Sequence, residues 1–325
     1  MRFTFQPKSL VWDGDELVDC VGGERWLTKG DSVSEAFGGH RFDFDRALVS
    51  PSGRYGVVYA ERGTKGLILE GGKILREVNR SYYHSSVYCY PVALGQLPDG
   101  REVIAHCPDA YDRIEIETLA EGKRLTRRRS NTEGLFHSRL RFSPDGRHLL
   151  PAGWIWAPFE TVCLFDVQAA LERPSLLDRA SWGPDLAFPD IAVNPEVRAA
   201  CWLDEDRIVV TTSTEFDDEG EDWPAERSGV WSVRGQRWLS RSTWNPQGSL
   251  QRCAGGVLYA ENGCPHWWAP GLGEPISWPE VEVVEAPLFG DGGWLAHDCP
   301  LLAAHATERR FAAVGTNVMI MVEWS

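Results

Sequence analysis

Turn-punctuated strand units recur along the whole chain, and this recurrence narrows the fold more than any other feature. Residues 47–78, ALVSPSGRYGVVYAERGTKGLILEGGKILREV, read as four short strands: a run ending at Ser50, a PSG turn, RYGVVYAE, then KGLILE, a GG turn and KILREV. Similar units follow in VALGQLPDGREVIAHCPDAYDRIEIET, RLRFSPDGRHLLPAGWIWAPFETVCLFDV, AACWLDEDRIVVTTS with GVWSV, LQRCAGGVLYAENGCPHWW and LLAAHATERRFAAVGTNVMIMVEW, and SLVWDGDELVDCVGG is a degenerate first copy. The last residues of the first turns are Asp15, Gly53, Gly100, Gly146, Asp206, Gly256 and Arg309, at intervals of 38, 47, 46, 60, 50 and 53 residues. Four strands repeating every ~40–50 residues are the signature of an all-β, seven-bladed β-propeller in which each unit is one radial blade; six blades is the alternative if the first copy is not counted.

The last unit supplies three strands before the chain ends, and RFTFQ near the start alternates as a strand does. One blade closed by both terminal strands uses both leftovers and removes an open sheet edge that would invite aggregation. The expected organisation is a single domain over residues 1–325. Thirty-two glycines and 20 prolines suit so many turns, and 43% hydrophobic residues suffice for the core.

Charge limits the partners. Forty-seven Asp and Glu against 33 Lys and Arg leave a formal charge of −14, which repels phosphate backbones and anionic lipid heads, so neither nucleic acid nor a membrane is expected. MRFTFQPKSL has no basic region followed by an apolar run, and VMIMV is too short to cross a bilayer, so a cytoplasmic location is expected. Eight cysteines scattered without CxxC pairs read as buried thiols, unlike a disulfide scaffold or a zinc ribbon.

At SPSG, SPDG, LFDV and the Gly39–His40 pair, the chain resembles the WD-repeat family of propellers and an uncharacterised bacterial branch of it. The resemblance implies that the innermost strand of each blade lines a central channel. It further implies that the link entering that strand shares one face, usually the binding face, with the loop between the second and third strands. NRSYYHSSVYCYP (79–91), EGLFHSR (133–139) and GDGGWLAHDCP (290–300) are then entry links; AHCPDAYD (105–112), AGWIWAPFE (152–160), TEFDDEGEDWPAE (214–226) and ENGCPHWW (261–268) are second-to-third-strand loops. Tyr82, Tyr83, His84, His106, Asp109, His137, Trp154, Trp156, His266, Trp267 and His297 gather on that face as candidate binding residues, while the plain turns PSG, PDG, DED and TER fall on the other.

Rigid aromatic side chains give large contact area at low entropic cost, so this face suits a protein or peptide partner, although Trp and Tyr also serve as blade-packing residues. His84, His106, Cys107, His137, His297, Asp298 and Cys299 carry metal-ligating chemistry, but no pair has the spacing of a metal motif, and no metal or cofactor is expected. His106 and Cys107 are adjacent, and adjacent strand residues point to opposite sides, which disfavours a Cys–His nucleophile. The leading reading is a non-enzymatic propeller scaffold that binds a protein or peptide. The alternative is a hydrolase or lyase using His84, His106, His137 and Asp109 on a small molecule, and a third is sugar or metabolite binding on the aromatic platform.

Overall fold

The SPSG and SPDG repeats fold into the same turn. Ser50 Oγ accepts the amide of Tyr55 and Ser50 C=O accepts that of Gly53; Ser143 Oγ accepts the amide of His148 and Ser143 C=O that of Gly146. Gly53, Gly100 and Gly146 all have positive φ (75°, 88° and 69°), a region that costs other residues steric strain. At Gly146 glycine is needed a second time, because a Cβ would run into the backbone carbonyl of Gln96 on the preceding sheet. The turn therefore sets both the strand reversal and the approach of one sheet to the next.

The structure is a computed structural model that describes residues 7–26, 32–34, 43–129, 135–155, 159–178, 197–212, 227–246, 249–284 and 300–325. Its strands form seven successive antiparallel sheets, the blade organisation of an all-β seven-bladed propeller. Sheet I contains Val11–Asp13, Glu16–Asp19, Glu24–Trp26 and Ser32–Ser34; sheet II contains Arg46–Val49, Tyr55–Tyr59, Lys65–Glu70 and Lys73–Asn79. Sheet III contains Val92–Gln96, Glu102–His106 and Glu115–Thr118; residues 123–126 run beside its third strand through Leu125 N–H to Ile116 C=O and an isolated bridge from Arg124 to Glu117.

Sheet IV is made of two short ladders. Leu135–Phe136, Ala152–Ile155 and Phe159–Val162 form one; Arg141–Phe142, His148–Leu150 and Phe165–Asp166 form the other. The break falls at Pro151, which has no N–H to give a ladder, and the amides of Ala152 and Cys163 bridge it by bonding Ser138 C=O and Pro151 C=O. Sheet V contains Val197–Trp202, Arg207–Thr212, Ser228–Ser232 and Arg237–Ser242; sheet VI contains Gln251–Cys253, Gly256–Glu261, Cys264–Trp268 and Ile276–Ser277; sheet VII contains Leu302–Ala304, Arg310–Val314 and Met319–Glu323. The N-terminal strand expected to complete sheet VII lies outside the described residues.

Two compact units result. One comprises Met1–Val78, His84–Tyr88 and Pro246–Ser325 and holds sheets VI, VII, I and II; the other comprises Asn79–Tyr83 and Cys89–Asn245 and holds sheets III, IV and V. In the first, sheet VII packs on sheet I, the sheets nearest the two chain ends, through Leu17, Trp26, Leu301, Ala312 and Val314. The Trp12 indole also donates to Ala303 C=O at 3.0 Å. In the second unit the strand alternation is plain: Leu149 joins the core shared with sheet III and its neighbour Leu150 the core shared with sheet V. Both leucines are fully buried, each worth about 1.5–3 kcal/mol. Trp202 repeats the Trp12 device, its indole donating to Arg141 C=O of sheet IV at 3.2 Å.

Helix is confined, among the described residues, to Val167–Glu172 and a short 3-10 turn at Pro174–Leu177. Asp166 of LFDV, one of the residues that carry the WD-repeat resemblance, caps that helix, its Oδ1 accepting the Ala169 amide at 2.9 Å. Two segments expected as loops depart from expectation: 152–160 holds the strand Ala152–Ile155 and the start of Phe159–Val162, and ENGCPHWW is not a loop, because Asn262 and Gly263, with φ of 51° and 75°, make a two-residue hairpin turn and Cys264–Trp268 is already strand. No helix among the described residues is long and apolar enough to cross a membrane.

Candidate functional site

The link 79–91 divides its four tyrosines between two jobs. Tyr88 and Tyr90 are buried, whereas Tyr82 is 81% exposed and Tyr83 45%. Two buried arginines fix the backbone: Arg80 lies 5.0 Å over the Tyr90 ring and donates to Cys89 C=O at 3.0 Å, and Arg62 donates to Ser86 C=O at 3.3 Å. The Tyr83 amide bonds Ser81 Oγ, and His84 turns the chain with φ of 51°, its C=O accepting the Val87 amide.

From the core outward, three rings stack beneath the exposed residues. Phe136 is fully buried, Tyr111 lies on it at 4.1 Å between centroids, and Tyr83 lies 5.0 Å from Tyr111 and 5.9 Å from Phe136. Burial, with Asp112 and Tyr83 nearby, raises the Tyr111 hydroxyl above its ordinary pKa. Tyr111 and Phe136 were not singled out by the sequence, although both lie in segments assigned to the candidate face.

Asp109 belongs to an ion network on sheet III, and His106 is buried beside it. Buried His106 Nε2 is 3.3 Å from Glu117 Oε1; Arg124 bonds Glu117 at 3.1 Å and Asp109 at 2.5 Å; Arg113 bonds Asp109 at 2.7 Å. These hydrogen-bonded guanidiniums, Arg124 first, hold the Asp109 carboxyl below its ordinary range. Beside this network Glu115 accepts from Thr126 Oγ1, and Arg128 bonds Asp178 at 2.5 Å and Ile114 C=O at 2.7 Å. Burial raises the Glu115 carboxyl. The network ties the 107–128 segment to the sheet.

His137 is buried, and burial drives its imidazole down to about 3, with Arg128 adding in the same direction, so it is neutral at pH 7. Cys107 is buried and its thiol is pushed well up, above all by burial. A neutral buried imidazole and an un-ionised thiol do not make an activated nucleophile. The seven described cysteines are thiols, six of them buried and Cys264 half-buried.

His266 and Trp267 lie in the third strand of sheet VI. The His266 ring stacks on Tyr259, its Nδ1 is 2.7 Å from Ser277 Oγ, and its Nε2 is 3.2 Å from Glu261 C=O and 3.4 Å from Cys264 Sγ. A carbonyl only accepts, so Nε2 carries the proton and cannot act as base toward Cys264. Burial, Glu261 and Glu280 raise that thiol as well. Trp267 is buried and donates to Cys253 C=O at 2.8 Å, which makes it a packing residue. Trp154 occupies a strand position whose side chain is outside the described residues, as are Trp156 and His297 entirely. His84 belongs to the first compact unit, and His106 and His137 to the second.

Asp15, His305 and Glu308 gather potential metal-ligand atoms, but a guanidinium already stands between the carboxylates: Arg310 hydrogen-bonds Asp15 at 2.5 Å and lies in ion-pair contact with Glu308 at 3.0 Å. His305 Nδ1 takes the Glu308 amide and its Nε2 contacts Gly14 C=O. That arrangement is a salt-bridged turn.

A cavity of about 460 Å³ opens between sheets I and II, lined by residues that include Val18, Val49, Leu69, Arg54, Lys73 and Gly56. It is bordered by the PSG turn at Gly53 and by the GG turn at Gly71 and Gly72.

The sequence matches no protein-family model and no curated protein. Among solved structures, hydrazine synthase of Kuenenia stuttgartiensis superposes with a TM-score of 0.60, covering 100% of this chain and 97% of that one, at 12% identity. A likeness at that identity concerns the fold alone.

Proposed function

We propose that this chain is a non-enzymatic, WD-repeat-like propeller scaffold of the cytoplasm that binds a protein or peptide through the aromatic link at Tyr82 and Tyr83. One observation carries the reading: two tyrosines stand exposed on a link anchored at its two ends by buried Arg80 and by buried Tyr88, Cys89 and Tyr90, and the inner tyrosine rests on the Tyr111–Phe136 stack. Pre-ordered aromatic side chains lose little entropy on binding, which is why such residues dominate interface energetics. The buried histidines of the neighbouring sheets support the platform and do not contact the partner. The neutral state of His137 and the raised thiol of Cys107 speak against acid–base or nucleophilic chemistry beside the link.

Peptide display against the whole chain tests the proposal. Selected binders should lose at least about tenfold in affinity, roughly 1.4 kcal/mol, for the Tyr82→Ala/Tyr83→Ala double variant. They should be unaffected by Leu239→Ala, an exposed apolar residue on the outer strand of sheet V. Binders insensitive to the double variant, with its melting temperature close to that of the parent, would refute the assignment.

A further inference from the structure

The cleft between sheets I and II has a mid-strand glycine that the fold does not require. Gly56 lies within Tyr55–Tyr59, where glycine weakens a strand by about 0.5–1 kcal/mol relative to alanine. Its φ is not positive, and an added Cβ would meet only Leu48 C=O at an ordinary 3.6 Å. The residue nevertheless lines the cavity. A strand glycine without a backbone or packing reason marks a place where something else approaches the chain closely.

Charge supplies the second observation. Arg25 is held by Asp13 and Glu16 at 2.9 and 2.7 Å, and Arg54, whose side chain is 63% exposed, pairs with Glu70 at 2.6 Å at the cleft. Lys73, on the same lining, has no ion pair among the described residues, in a chain with 47 acidic residues to 33 basic ones. The floor is apolar, formed by Val18, Val49 and Leu69. A volume of about 460 Å³ falls within the roughly 300–1,000 Å³ of small-molecule sites.

We propose that this cleft binds a small organic anion, its charged group at Lys73 beside Arg54 and its apolar body on Val18, Val49 and Leu69 over the bare backbone of Gly56. The site is separate from the aromatic link and does not depend on the reading of that link.

Ligand-observed NMR on the full chain, with phenyl phosphate and benzoate as anionic probes and benzyl alcohol as the neutral control, tests it. At least one anion should bind at millimolar concentration, and benzyl alcohol about tenfold more weakly or not at all. If both anions bind, their relative affinity distinguishes a phosphate from a carboxylate ligand. Lys73→Glu should weaken the anion about tenfold, and Gly56→Leu, which fills the cleft, should abolish binding. The exposed Lys73 variant keeps the test valid should Gly56→Leu fail to fold. Binding of neither anion, equal binding of the neutral control, or an anion affinity unchanged in Lys73→Glu overturns the proposal.

Discussion

Replacing the turn glycines by alanine should separate backbone strain from the seating of one sheet on another. At Gly100, φ is +88° and an added Cβ would meet nothing within 4 Å, so Gly100→Ala should cost only the positive-φ strain, about 1–2 kcal/mol. At Gly146, φ is +69° and the Cβ would also strike the Gln96 carbonyl, which is backbone and cannot swing away. Overpacking of that kind adds about 1–3 kcal/mol, so Gly146→Ala should cost about 2–5 kcal/mol in all. Gly53 lies between them, because its Cβ would meet the Asp13 carboxylate, a side chain that can move once its 2.9 Å ion pair with Arg25 is broken. Urea unfolding followed by tryptophan fluorescence gives the three costs from the midpoints and a common slope. The order Gly100, Gly53, Gly146 is expected. Equal costs for Gly100→Ala and Gly146→Ala, within about 0.5 kcal/mol, would refute the idea that this turn positions sheet IV against sheet III.

Three further outcomes follow from the same geometry. His137 is neutral in the folded chain down to about pH 3 but protonates near its ordinary ~6.5 when unfolded, so its stabilising share is complete above that value and is lost as pH falls; between pH 6.5 and 5 the parent should lose up to about 2 kcal/mol more than His137→Gln in urea titrations, and parallel curves would refute this. Trp12→Phe removes the indole bond to Ala303 C=O that links the first and last sheets and should cost about 1–2 kcal/mol in the same assay, whereas no change would show that the bond contributes nothing net. Gly56→Ala should raise stability by about 0.5–1 kcal/mol, because its backbone already suits alanine, and a loss would mean that the cleft wall is more crowded than its 3.6 Å nearest contact indicates.

The repeat was legible because its information is local. Ser50 and Ser143 make the same turn bonds within five residues, and Leu149 and Leu150 reveal a strand buried on both faces by being apolar neighbours. Two further signals are equally local. Asn262–Gly263 is the strongest short hairpin signature, and it turns 264–268 from loop into strand. Asp166 followed by VQAALE is a capping residue before good helix formers, and it starts the helix at Val167–Glu172. The interruption of sheet IV is likewise written in Pro151, which a strand interior does not accommodate.

The candidate site was legible only in outline, because burial and partner choice are decided by residues distant in sequence. His106 looks like exposed chemistry until sheet III brings Glu117 to 3.3 Å and Arg124 to Glu117, and His137 until burial makes it neutral. The four tyrosines of the link are chemically identical, yet only packing sorts them: Arg80 covers Tyr90, while Tyr83 finds Tyr111 and Phe136 on sheets III and IV. This sorting gives the Gly146 turn a bearing on recognition. Phe136 belongs to sheet IV and Tyr111 to the segment between two strands of sheet III, so their 4.1 Å stack depends on how closely those sheets approach, and Gly146 permits that approach at Gln96. A small displacement at the turn should therefore reach Tyr83 through two ring contacts, and binding at the link should weaken in Gly146→Ala more than in Gly100→Ala even where both chains remain folded.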